Sequence, residues 1–237
     1  SGMLYGKILH CPFPRARIIR LNTDTAEALP GVEAILSKKN CEGWWTYWYN
    51  VPELAFADVL THEGQEVAVV AAKDPVTAQK AIELIDVEYE ILRPMINAKE
   101  VLNSPPPELI GDEDYPNRDI FDRKPFIVKR GNMEKGFTDA DIIIKDTYHL
   151  PPQYHATIQT RACIAAWDGQ KLTVWDAAQG VWNSKRTFAK SLNLDPDNVR
   201  VIVNYLGGGF GSKGWSQRIS YYAARLTMVT QKPVRME

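Results

Sequence analysis

The hydrophobic pattern changes period several times along the chain, and each change marks an element. Residues 3 to 22 alternate apolar and polar in two patches, Leu4 to Leu9 and Ala16 to Leu21, broken by Pro12 and Pro14. That period of two predicts two strands around a turn. Thr23-Asp24-Thr25 offers capping side chains for a short helix from Ala26 to Leu29, which Pro30-Gly31 stops. Val32 to Leu36 reads as a strand. Glu66 to Ala72 is almost continuously apolar, the pattern of a strand covered on both faces. Asp74-Pro75 follows, a capping carboxylate and a proline at the first helical position, and predicts a helix from Val76 to Leu84. Ile85 to Tyr89 is the next strand.

The punctuation then changes. Residues 103 to 130 open with Asn103-Ser104-Pro105-Pro106-Pro107 and are too rich in turn formers for a packed element, so they read as a surface linker. Beyond Arg130-Gly131 a helix is predicted from Met133 to Ala140 and a strand from Ile142 to His149. Cys163 to Trp167 and Leu172 to Asp176 flank Asp168-Gly169-Gln170, a hairpin turn signal. Ser184 to Leu192 reads as a helix, Pro196-Asp197 as a turn and Val199 to Leu206 as a strand. A glycine cluster follows, then a helix from Ser216 to Thr230 and a strand-like stub from Pro233 to Glu237.

Composition narrows the class without naming it. The 237 residues are 45% hydrophobic and 24% charged with a formal net charge of -1, enough for a sizeable core. With no basic stripe or polybasic run, neither a nucleic acid nor a membrane surface is expected as a partner. No apolar stretch approaches the roughly 20 residues that cross a bilayer, and the first residues lack a secretory pattern. Cys11, Cys41 and Cys163 are far apart and form no Cys-x-x-Cys pair. They read as reduced core thiols, which points to a cytoplasmic location. Trp44-Trp45-Thr46-Tyr47-Trp48-Tyr49, with Phe56 beyond, predicts a packed, half-buried segment, with a stacking platform for a ligand as the alternative. His10, His62, His149 and His155 read as structural or surface residues.

The chemistry concentrates in Gly207-Gly208-Gly209-Phe210-Gly211-Ser212-Lys213-Gly214, between a predicted strand and a predicted helix. Glycines let the backbone turn sharply and approach a ligand without a Cβ in the way, and N–H groups gathered there suit an anion or an oxo ligand. A Walker A loop is excluded, because it needs Gly-Lys-Ser/Thr where this chain has Ser212-Lys213-Gly214. Gly209 to Gly214 does satisfy G-x-G-x-x-G, so a dinucleotide-binding domain is a rival reading. That rival leaves residues 1 to 200 unexplained. Lys213 reads as a charge on the loop rim or a helix-cap residue.

Leu206 to Lys213 resembles the glycine-rich segment of the molybdenum-binding subunits of the xanthine dehydrogenase/aldehyde oxidase family. The resemblance extends along the chain. Leu4-Tyr5-Gly6-Lys7-Ile8-Leu9, Ala28-Leu29-Pro30-Gly31-Val32, Gly64-Gln65-Glu66-Val67-Ala68 and Val87-Glu88-Tyr89-Glu90 are similar to that family's α/β hammerhead domain. Gly131 to Phe137, Leu172-Thr173-Val174-Trp175 and Gln179 are similar to the start of its cofactor-binding domain. The implied fold class is α+β (mixed α/β): a hammerhead-type domain over 1–102, a linker over 103–130, and the first part of a molybdopterin-binding domain over 131–237.

The resemblance also implies a function: oxidation of an aldehyde or an aromatic heterocycle, with water as the oxygen source. The cofactor would be a molybdenum–pterin, molybdopterin or its cytosine dinucleotide form, whose dithiolene rather than protein side chains holds the metal. Gln179 would hydrogen-bond an oxo ligand, Gly209 and Gly211 would bring amides to the cofactor, and Phe210 would pack against substrate. No catalytic residue is expected in this chain, since the family's general-base glutamate would lie in a missing C-terminal part. The partners implied are the remaining molybdenum-subunit polypeptide, an iron–sulfur subunit and an FAD subunit. Two departures bear on substrate and contacts. Gly214 stands where purine-oxidising members carry a glutamate, so a purine substrate is not expected. Ala156-Thr157-Ile158-Gln159-Thr160-Arg161 differs from the family's Met-Glu-Pro-His-like run. Both ends read as truncated, which leaves a non-catalytic remnant or assembly module as the second hypothesis.

Overall fold

The computed structural model describes residues 2–48, 51–94, 96 and 128–237. Its elements in chain order are β1 (Leu4–His10), β2 (Ala16–Asn22), α1 (Asp24–Glu27), β3 (Val32–Ser37), β4 (Trp45–Trp48), β5 (Val51–Leu54), β6 (Val59–Leu60), β7 (Glu66–Ala72), α2 (Pro75–Glu83) and β8 (Asp86–Ile91). Then come α3 (Met133–Thr138), β9 (Cys163–Trp167), β10 (Leu172–Trp175), α4 (Val181–Leu192), a 3-10 turn (Pro196–Asn198), β11 (Val199–Ile202), α5 (Arg218–Thr230) and β12 (Val234–Met236). A seven-stranded sheet runs in the order β11-β10-β9-β12-β1-β7-β3, so both halves of the chain contribute to one sheet. The join is a parallel pairing of β1 with β12, Leu4 opposite Val234. A second sheet has the order β6-β2-β8, and β4-β5 forms a hairpin.

The apolar run of β7 is explained by its position. Successive side chains point to opposite faces. Val69 and Ala71 enter a core shared with α4, α5, β9 and β10, while Ala68, Val70 and Ala72 enter another beneath α2. The α2 cap is formed as its residues suggest: Asp74 Oδ1 accepts from the Thr77 N–H at 2.7 Å. That bond and a second from Thr77 Oγ1 at 2.9 Å hold the exposed carboxyl below the usual carboxylate range. Asp168 plays the corresponding role in the β9–β10 turn, accepting from the N–H groups of Gln170 and Lys171.

Of the aromatic run, Tyr49 and the Trp48 side chain lie outside the described residues; Trp44 is packed rather than open. Trp44 and Phe56 are buried against Tyr222, with ring centroids 5.7 and 5.3 Å away, and Trp44 Nε1 donates to Ser191. Arg218 ties this region to the sheet, reaching Glu53 at 2.8 Å and Glu66 at 2.9 Å. All three cysteines are buried and unpaired.

Several predicted elements differ. β1 and β2 flank a turn but do not pair; they belong to different sheets, because Pro12 and Pro14 between them cannot donate to a ladder and the chain is redirected. Ile142 to His149 forms no strand. It has no regular structure and is bare, with Ile142 81% and Ile144 86% exposed, because no described strand edge lies beside it to answer its backbone. β11 ends at Ile202 rather than Leu206, at the point where its neighbour β10 ends at Trp175. Helix α4 starts a turn earlier than predicted. Of the predicted linker, only residues 128–130 are described, exposed and without regular structure.

Candidate cofactor site at the glycine loop

After β11 the chain leaves the sheet and crosses fifteen irregular residues, 203 to 217, before α5 begins at Arg218. Within this stretch Gly208 and Gly211 have φ of +88° and +96°, values that side chains resist. Phe210 also lies in the left-handed region at φ +50°, and the residue is 74% exposed. Such a conformation costs a non-glycine residue about 1–2 kcal/mol, which is supplied by the contacts on either side of it.

Those contacts come from two glutamines. Gln179, just before α4, accepts the Gly211 N–H on Oε1 at 3.2 Å, and its own N–H donates to the Lys213 carbonyl at 2.7 Å. A Cβ on Gly209 would overlap the Gln179 amide, so only glycine permits this approach. Because a backbone N–H must meet an oxygen, the amide orientation is fixed and Nε2 is left as a donor. At the other end Gln159 Oε1 accepts the Gly207 N–H at 2.7 Å, and a Cβ on Gly207 would come within 2.5 Å of the Gln159 Cβ. Arg161 donates to the Ser212 carbonyl at 3.2 Å. The run from Ala156 to Arg161 therefore lies directly against the loop. Gly180 closes the approach from α4, since a Cβ there would sit 2.5 Å from the Gly214 carbonyl oxygen.

Lys213 is neither a rim charge nor a cap. It is 1% exposed, α5 is capped at Gln217, and the ammonium donates to the Gln159 carbonyl at 2.8 Å and to Oε1 at 3.2 Å. Burial lowers its pKa, as does the nearby Arg161, against an opposing pull from Asp176. Asp176, at the end of β10, is pushed up by burial although it accepts from Ser220 Oγ and the Ala177 N–H. The sequence pattern holds no signal for the burial of Lys213; a charge after a glycine run ordinarily faces water.

The expected residues Gln179, Gly209, Phe210 and Gly211 thus come together, with unequal exposure. The N–H of Gly211 is committed to Gln179, whereas the N–H groups of Gly208, Gly209 and Phe210 make no hydrogen bond within the described residues. The loop flanks an open groove of about 1000 Å³ that Ser212, Gln217, Arg161 and His155 help to line. His10 and His62 border the same groove, and His149 is exposed. Among the described residues, no group of three His, Cys, Asp or Glu could hold a metal ion.

The donor set suits a molybdenum–pterin group. Neutral N–H donors on a glycine cradle fit an anionic or oxo-bearing ligand, and a metal held by its own dithiolene needs no protein ligands. A dinucleotide site does not fit. β11 and β12 are separated in the sheet by β10 and β9, whereas a dinucleotide-binding strand–helix–strand unit opens its helix directly at the glycine turn and places its strands side by side.

Fold and loop together define a mixed α/β protein whose glycine loop follows the edge strand of the main sheet. Residues 113–237 match the molybdopterin cofactor-binding domain, and residues 1–93 match the a/b hammerhead domain of aldehyde oxidase and xanthine dehydrogenase. The chain belongs to this molybdopterin-binding family. It is 29% identical, over 98% of its length, to PaoC of Escherichia coli (strain K12), the molybdenum-binding subunit of an aldehyde oxidoreductase, and covers 30% of that protein. It is 30% identical, over 99% of its length, to the nicotinate dehydrogenase large molybdopterin subunit of Eubacterium barkeri, of which it covers 54%. The solved CO dehydrogenase of Oligotropha carboxidovorans superimposes with a TM-score of 0.80 at 27% identity, over all of this chain and 31% of that one. The chain therefore spans about a third to a half of the length of these relatives.

Proposed function

We propose that this chain supplies the hammerhead segment and the glycine-loop side of the cofactor pocket in a molybdenum hydroxylase that oxidises an aldehyde or an aromatic heterocycle. The observation that carries the reading is the Gln179 amide, whose Oε1 takes the Gly211 N–H and leaves Nε2 as a donor, on a loop where the N–H groups of Gly208, Gly209 and Phe210 make no hydrogen bond among the described residues. When bound, the cofactor supplies two-electron redox chemistry and activates water. Gln179, Gly209, Phe210 and Gly211 are this chain's share of the site: Gln179 Nε2 and the Gly209 amide donate to the cofactor, Gly211 orients Gln179, and the exposed Phe210 ring packs against a flat substrate. Gly214 beside Lys213 offers no carboxylate to a purine, which favours the other substrate classes.

The general base and most of the pterin contacts belong, in this proposal, to a further molybdenum-subunit polypeptide. Iron–sulfur and FAD subunits carry electrons away, since the matched relatives include named subunits of larger enzymes. Three buried, unpaired thiols favour a cytoplasmic assembly, and among the described residues no helix is long and apolar enough to cross a membrane. We also propose that residues 1–102 and 131–237 act as the hammerhead and partial cofactor units, joined through 103–130.

The test is to purify the chain alone and co-expressed with a polypeptide covering the rest of its relatives' length, and to measure molybdenum and pterin. Metal and pterin in the co-expressed preparation support the reading. Their absence from both preparations overturns it and leaves a non-catalytic assembly module.

A further inference from the structure

Buried lysines without a carboxylate partner are unfavourable. Removing an ammonium from water is costly, and neutral oxygens offset only part of that cost. Lys213 is nonetheless buried, with its ammonium on the carbonyl and Oε1 of Gln159, no salt bridge among the described residues and only a longer-range attraction to Asp176. A side chain needed only to fill space there would be better apolar, so the reason lies in what it connects.

The connections form one line through the loop. Gln159 Oε1 receives both the Lys213 ammonium and the Gly207 N–H. The backbone carbonyl of Lys213 receives the N–H of Gln179, whose Oε1 receives the Gly211 N–H. Lys213 thus bonds to both glutamines, through its side chain to one and its main chain to the other. Thr157 Oγ1 donates to the Gln159 carbonyl at 3.1 Å and steadies the far end.

We infer that Gln159 and Lys213 are positioning residues: a strut, half-buried at Gln159 and buried at Lys213, that sets the two ends of the glycine loop together and thereby aims the Gln179 amide at the cofactor. The inference rests on the reading of the loop as a cofactor cradle, but the strut itself is a property of this chain alone. It assigns the role to an oxygen acceptor at position 159, not to an amide as such. A glutamate at that position would serve the same two donors; an alanine would serve neither.

Amide hydrogen exchange, followed residue by residue by NMR on the full chain, tests this without any metal. In Gln159→Ala the Gly207 amide loses its acceptor and should exchange roughly tenfold faster, the scale of one hydrogen bond. The decisive sites are Gly211 and the Gln179 main-chain amide, which Gln159 does not touch; both should exchange several-fold faster. Lys213→Met should reproduce that pattern, and Gln159→Glu should return all three amides to within about twofold of the parent. Acceleration at Gly207 alone would reduce Gln159 to a local contact and overturn the strut. Failure of Gln159→Glu to restore protection would also overturn it. Faster exchange throughout β7 as well would show a general folding role instead. Because no cofactor is involved, this result stands apart from the molybdenum measurement: the strut can hold in a chain that takes up no metal, and can fail in one that does.

Discussion

In strand β7 the side chains alternate between two apolar cores, and the backbone is laddered to β1 on one edge and β3 on the other. In the loop from Gly207 to Gly214 there is no core. Two glutamines answer its ends, and both meet Lys213, Gln159 through the buried ammonium and Gln179 through the main-chain carbonyl. The difference is between a collective restraint and a serial one. Many small contacts hold β7, so its tolerance is set by volume and polarity. A few directional bonds hold the loop, so displacing one oxygen can misplace the site while the fold persists.

The contrast can be broken most forcefully in the strand. Val70→Asp would bury an unpaired carboxylate between β7 and α2 and should cost more than about 4 kcal/mol, enough to abolish cooperative unfolding in denaturant. A variant with near-parental stability would show that the α2 core is not what holds the strand. Gln179→Ala in the molybdenum-loaded assembly should lower kcat about 100-fold, as for loss of one aimed donor. With Gln179 exposed and its one side-chain bond to Gly211 lost, the chain should lose only about 1 kcal/mol of stability. Unaltered kinetics would remove Gln179 from the site.

A smaller effect should come from Gly209→Ala. The new Cβ would meet the Gln179 amide, and relief should cost roughly 1–3 kcal/mol with a concurrent fall in turnover. An alanine accommodated without either change would mean the close approach is not required. The smallest effect concerns Asp176, which lies between the two regimes. Burial raises its carboxyl pKa, so its contribution to stability is full below the ordinary carboxylate pKa and is lost as pH rises through the raised folded value. Asp176→Asn should flatten that decline in a series of unfolding curves across acidic to neutral pH; superimposable profiles for the two proteins would contradict it.

How legible each region is follows from the same contrast. The β7 run, the Asp74 cap and the Asp168-Gly169-Gln170 hairpin are readable because each is specified by residues within a few positions of one another. Ile142 to His149 carries a comparable apolar pattern and forms no strand, because a ladder needs a neighbouring edge and none of the described residues provides one. The early end of β11 has the same cause at its partner's last residue. Gln179 and the glycines are found through a family resemblance, since neither a lone glutamine nor a G-x-G-x-x-G pattern identifies this site. Lys213 is misread from sequence, because nothing adjacent marks a charge that will be buried against a residue 54 positions away.

By itself the sequence determined where most strands and helices lie, that the thiols stay unpaired, and that the glycine segment must bend and come close to something. Those properties depend on local periodicity, backbone freedom and composition. Only the tertiary structure decided that the two halves share a sheet, that β1 and β2 part company, and that Lys213 and Gln159 clamp the loop. Each of these turns on which distant group meets a given backbone N–H or carbonyl, and one-dimensional spacing carries no record of that.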